Sequence, residues 1–123
     1  MNVPSGLTGK VWGQTQSLFY NPTCEVHLLA GKKGGYCSKH HHVNKWNRFF
    51  VISGQIKVTI YREETSGYED VIIVGAGQFT DVKPGLKHRF EVLEDCQCIE
   101  IYWTNDLDPV DIVREDNGGI RSE

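Results

Sequence analysis

Five histidines occur among 123 residues, and three of them, His40, His41 and His42, are consecutive. Side chains alternate along an extended segment, so His40 and His42 leave one face together and His41 leaves the other. Two imidazoles placed this way can grip one metal ion. A third, His88, follows the turn Lys83-Pro84-Gly85-Leu86, on a later strand that can lie beside the first pair. Three imidazoles that leave coordination positions open suit one divalent ion (Zn, Fe, Mn, Ni or Cu) and admit water or a substrate to it. The four cysteines offer less chemistry. Cys96 and Cys98 alternate on one strand-like run, too close for easy bridging, and no Cys-x-x-Cys is present, which argues against a zinc ribbon. All four read as reduced thiols that pack as small apolar residues.

The elements that must position these groups read as β-strands. Glycines and short polar clusters punctuate runs rich in Val, Ile, Phe, Tyr and Trp, and that composition favours pleated, half-buried structure. Strands are predicted over 24–30, 36–41, 48–52, 55–62, 70–74, 78–81, 88–93 and 96–103. Ile56, Val58 and Ile60 alternate with Gln55, Lys57 and Thr59, so one face meets a core and the other water. The same period recurs in Ile99, Ile101 and Trp103. Ser53-Gly54 reads as a tight hairpin turn and Glu63 to Gly67 as a second hairpin tip. After Pro109, Asp108 to Glu115 is predicted as one or two helical turns. Phe49, Phe50, Trp46 and Trp103 read as core or interface aromatics. Eight short antiparallel strands are best closed as a barrel-like double sheet, a jelly roll. The expected organisation is a single domain over 1–123, with a core over about 20–104 and a C-terminal tail over 105–123.

With the histidines and strands in place, the sequence resembles the cupin family. Its first motif, a Gly, five residues, His-x-His, a short spacer, Glu, six residues and Gly, is similar to Gly34, His40, His42, Asn47 and Gly54. Its second, a Gly, five residues, Pro-x-Gly, two residues, His, three residues and Asn, is similar to Gly77, Lys83, Gly85, His88 and Val92. The resemblance implies an all-β, single-domain cupin jelly-roll barrel (a double-stranded β-helix) with His40, His42 and His88 as ligands of one divalent metal. Asn47 occupies the position of the family's carboxylate ligand. It offers a neutral carbonyl oxygen in place of a charged one, which leaves a dication less neutralised. The segments Val11-Trp12-Gly13 and Asp111-Ile112-Val113-Arg114-Glu115-Asp116 are similar to the ends of type II mannose-6-phosphate isomerase domains, which are cupins, and Val82 to Phe90 is similar to their Pro-x-Gly-x-x-His-Arg pattern.

An aldose–ketose isomerase needs a cation to polarise a carbonyl, a base to move a proton between adjacent carbons, and a positive group for phosphate. Glu100 is the expected base, Glu91 being disfavoured by strand parity with His88. Arg114 is the expected phosphate clamp, with pairing to Asp111 or Glu115 as its structural alternative. Lys32, Lys33, Lys39 and Lys45 are expected to form a positive region near the cavity mouth. The expected partner is an anionic small molecule, a phosphorylated or nucleotide-linked sugar. Two other functions fit the residues: a three-His iron-dependent dioxygenase, and a non-catalytic module that binds a carbohydrate or other small molecule. A formal charge of −3 and a pI near 5.9 give no basic field for nucleic acid. No apolar run approaches the roughly 20 residues of a membrane helix, and the N-terminal residues do not read as a secretory signal. A cytoplasmic homodimer is the expectation.

Overall fold

The computed structural model describes residues 7–63, 67–108 and 110–121, and among them it contains strands and no helix. In chain order the strands are β1 (Leu7–Lys10), β2 (Gly13–Asn21), β3 (Cys24–Gly31), β4 (Gly35–Tyr36), β5 (His40–His41), β6 (Trp46–Arg62), β7 (Tyr68–Gly75), β8 (Phe79–Val82), β9 (Lys87–Trp103), β10 (Val113–Arg114) and β11 (Gly119–Ile120). All the pairings are antiparallel and join the strands into one strongly curled sheet.

Two bent strands of 17 residues, β6 and β9, run alongside one another from Trp46↔Trp103 to Tyr61↔Lys87. The first half of β6 also pairs with β8 and the second half with β7, while β9 carries β3 on one half and β4 and β5 on the other. Each long strand therefore serves both walls of the barrel, and the bend between the halves closes it. Ser53-Gly54, expected as a hairpin turn, is that bend. The register slips between Val51 and Ile56, and the inward positions change from Asn47, Phe49 and Val51 to Ile56, Val58 and Ile60. A one-residue slip moves side chains to the opposite face, so the irregularity at Gly54 lets both halves point apolar groups inward. Gly54 has φ 81°, and a Cβ there would lie 2.2 Å from the Asp95 carbonyl oxygen. The second hairpin, between β6 and β7, turns where it was expected, with Gly67 N–H donating to the Arg62 carbonyl; residues 64–66 lie outside the described ones.

The core gathers Trp12, Leu29, Phe49, Val51, Ile56, Val58, Ile60, Val74, Val82, Phe90 and Val92. Trp12 enters from the loop between β1 and β2, ahead of the core range expected from the sequence, and meets Phe90 edge to face. Of the four aromatics read as core or interface residues, Phe49 is fully buried, whereas Trp46 lies at the surface and stacks on Trp103. The apolar alternation of Ile99, Ile101 and Trp103 belongs to the outer face of β9. Its inner face carries Cys96, Cys98, Glu100 and Tyr102. The helical turns expected over Asp108 to Glu115 are instead an extended strap, in which β10 pairs with β5 through Val113↔His41 and Arg114↔His40. Strand pairing satisfies the open backbone edge at His40–His41, which a helical turn in the strap could not; Pro109 lies outside the described residues. No helix of the described residues is long and apolar enough to cross a membrane.

Candidate metal centre

His40 and His42 project inward from β5 and from the residue after it. His88 stands directly opposite His40 in the ladder between β5 and β9. The pairing brings one ring nitrogen of each within 4.8 Å of the others, and the ring centroids lie 4.5–5.4 Å apart. All three residues are buried. Their outer nitrogens are tied to backbone carbonyls: His40 Nδ1 donates to Ser38 O at 2.7 Å, His42 Nδ1 to Asp111 O at 2.7 Å, and His88 Nδ1 to Leu86 O at 2.9 Å. Donation from Nδ1 fixes the tautomer in which Nε2 carries a free lone pair. The Nε2 atoms of His42 and His88 are buried without a hydrogen-bond partner.

Buried nitrogens left unpaired are costly unless something binds them. Electrostatics sharpen this. Burial, and then the neighbouring His88 and His42, lower His40 from 6.5 to about 2. Burial lowers His42 to about 4 and His88 to about 4 against the pull of their carbonyl partners. The cluster is held neutral and lone-pair-bearing at physiological pH, the form that binds a cation. Asn47 is fully buried, its side chain beside the Glu100 carboxyl. The three imidazole nitrogens therefore form a donor set that fits a divalent metal.

His40 and His42 open onto a cavity of about 560 Å³. Glu100 and Arg114, both predicted as functional, line it. The Glu100 carboxyl is 8% exposed, and burial raises it above the ordinary carboxylate range, against the hydrogen bond from the Tyr102 hydroxyl and the nearby His27. Arg114 is exposed at the rim and pairs with neither Asp111 nor Glu115, its structural alternatives. Asp111 instead accepts from the amides of Val43 (2.7 Å) and Asn44 (2.8 Å), and Glu115 faces Lys39 and Lys87. Although burial pushes the Asp111 carboxyl up, those two amides hold it below its usual value. Glu91 points away from the cavity toward Lys57 and Arg121, as strand parity required.

The expected lysine cluster is dispersed. Lys39 is engaged by Glu63 and Glu115, and Lys32 lies at the surface by a different depression. Lys45 lines the cavity and is 3% exposed. Three further cavity residues carry polar chemistry that the sequence did not single out, Glu25 and His27 on β3 and Tyr102 on β9, and Asp111 supports His42 from outside the cavity. His27 faces Glu100 across the β3–β9 ladder, with Nε2 3.4 Å from Glu25. Tyr102 was within reach of parity, since it shares a face with Glu100. The pairing of β3 with β9 spans some seventy residues of sequence and left no local trace. Cys37 also lines the cavity, but burial pushes its thiol up to about 12, which makes it inert.

No family model matches the sequence, and no curated protein matches it significantly. The fold, by contrast, has many counterparts among solved structures. It is similar to oxalate decarboxylase from Bacillus subtilis, with a TM-score of 0.78 and 16% identity over 90% of this chain and 30% of that one. CapF, solved with 3-isopropenyl-tropolone, gives 0.72 and 23% identity over 88% of this chain and 33% of that one. Lactobacillus farciminis oxalate decarboxylase, solved as a formate complex, gives 0.74 and 16% over 90% and 34%. The chain thus spans about a third of the length of these proteins. All are cupin-fold proteins, and the architecture here is the cupin jelly roll that the sequence led us to expect. The B. subtilis enzyme contains Mn(II) centres.

Proposed function

We propose that this chain is a metal-dependent enzyme that isomerises a phosphorylated or nucleotide-linked sugar, in the manner of the mannose-6-phosphate isomerase domains its ends resemble. The observation that carries the reading is Glu100, a buried carboxyl held above its usual range in the same cavity as the histidine triad. His40, His42 and His88 would hold the metal through Nε2. When bound, a divalent ion supplies Lewis acidity toward a carbonyl and stabilises negative charge on adjacent oxygens. Glu100 takes a proton from one carbon and returns it to the next, a task suited to a carboxyl whose burial brings it nearer neutrality. The Tyr102 hydroxyl orients that carboxyl, and Trp12 and Phe90 give the cavity an apolar wall. Arg114, at the rim without an ion pair among the described residues, receives the phosphate.

The test is a coupled assay on mannose 6-phosphate with each candidate metal. Glu100→Gln is expected to lose about 10²-fold or more in kcat while zinc binding stays intact. Absence of turnover above a His40→Ala variant under every metal overturns the isomerase reading. Asn47 favours one rival. A donor set with no charged side chain suits ferrous iron in oxygen chemistry, and oxygen uptake by the iron-loaded protein with a small organic substrate would favour that rival.

A further inference from the structure

Lys45 is a buried cavity cation whose charge the isomerase reading leaves unused. Its side chain lies on the segment between His42 and β6, 3% exposed, and lines the same cavity as His40 and His42. Its ammonium sits 3.9 Å from the centroid of the Tyr102 ring. Among the described residues it makes no hydrogen bond, and no carboxylate oxygen lies within ion-pair distance. Glu25 and Glu100 act on it only through space. An ammonium has three strong donors and is normally found at the surface or paired. Here the stem is buried, and the ammonium is stacked against an aromatic face with its donors uncommitted in the cavity that His40 and His42 also line.

We propose that Lys45 is an oxyanion subsite, which donates to a negatively charged oxygen of a ligand lying in the cavity, a carboxylate or a phosphate. The ring of Tyr102 fixes the ammonium through the cation–π contact and limits the rotamers it can adopt, so little order remains to be imposed when an anion arrives. Arg114 stands at the exposed rim and Lys45 at the buried wall, so the two cations address different ends of a ligand. In the isomerase reading above, which this inference deepens, Arg114 takes the terminal phosphate and Lys45 an oxygen on the reacting part of the chain.

The experiment titrates inorganic phosphate and, separately, acetate into the full chain, metal-free and zinc-loaded, following the amide resonances of residues around the cavity. Saturable shifts are expected with at least one of the two anions, and which of them binds tells phosphate from carboxylate. Lys45→Met, which keeps the apolar stem and removes the charge, is expected to weaken that binding at least about tenfold, the weight of one charge-assisted hydrogen bond. Lys45→Arg is expected to retain it, and Arg114→Ala to change it by less than Lys45→Met does. The melting temperature of metal-free Lys45→Met is expected to equal or exceed the wild type, because the variant removes a buried unpaired charge. Equal anion binding by Lys45→Met and wild type, or no anion binding by the wild type, overturns the inference. Zinc titrations of the same samples separate it from the metal reading: loss of zinc binding with Lys45-dependent anion binding sinks the metal site and leaves the subsite standing.

Discussion

Replacing Asn47 by Asp exchanges one atom and adds one charge at a position that is fully buried. The consequences for the metal-free and metal-bound protein have opposite sign. Without metal, an ionised carboxylate there is buried beside the Glu100 carboxyl, and such an uncompensated buried charge costs on the order of 3 kcal/mol. With roughly 2 cal/mol/K of unfolding entropy per residue, that cost lowers the melting temperature of a chain this size by roughly 12 °C. The carboxyl is raised above its unfolded value, so the deficit is full at pH above the raised value. It fades toward pH 4, near the unfolded Asp value of about 3.9, as the group becomes neutral in both states. With zinc present, the same carboxylate becomes a charged ligand beside a dication. A gain of about 100-fold in affinity would return about 2.7 kcal/mol, nearly the whole deficit. Calorimetric melting of wild type and Asn47→Asp, each with chelator and with saturating zinc at pH 7 and pH 4, measures all four quantities. The reasoning fails if Asn47→Asp matches wild type in chelator at pH 7, or if zinc raises its melting temperature by no more than it raises that of the wild type.

Two further outcomes follow from the histidine cluster and its support. Asp111→Ala removes the carboxylate that anchors the strap to the amides of Val43 and Asn44, while leaving the backbone carbonyl that accepts from His42. Zinc affinity is expected to fall about tenfold, as for other residues that orient a metal ligand, with Asp111→Asn restoring part of it; unchanged zinc titrations would remove Asp111 from the site. Because His42 and His88 titrate near 4 and His40 near 2, these groups are neutral when folded but protonated when unfolded between about pH 6.5 and pH 4. The unfolded state binds more protons there, so metal-free stability is complete above about pH 6.5 and declines as pH falls toward 4. Zinc affinity should accordingly stay nearly level from pH 8 to about pH 5, and a steep loss beginning near pH 6.5 in isothermal titrations would contradict the depressed values.

Much of the site was legible because its information is local. The alternation rule separates His40 and His42 from His41 with no knowledge of a partner strand, and it places Glu100 on the face opposite Ile99 and Ile101. The same rule does not say which face is inside. The apolar residues of that stretch proved to be the outer ones, because the inner face of β9 builds a polar cavity wall. Local signals also misled where a long-range partner decided the outcome. Ser53-Gly54 has hairpin chemistry, yet both flanking runs bind the same neighbour, β9, and the glycine serves as a bend. The run after Pro109 carries a helix-start signal, yet the strap is drawn into pairing with β5.

By itself, then, the sequence determined the donor types, the face on which His40 and His42 stand, and an all-β strand pattern, since each rests on residue chemistry and a period of two; the cupin expectation rested on the resemblance of its two motifs. Only the tertiary structure decided three things: that His88 lies opposite His40, that Asp111 supports His42 from nearly seventy residues away, and that Lys45 is a buried cation in the cavity when its charge pattern suggested a surface cluster. Each depends on which strands pair and in what register. Register is set by the packing of the whole barrel, and no window of sequence contains it.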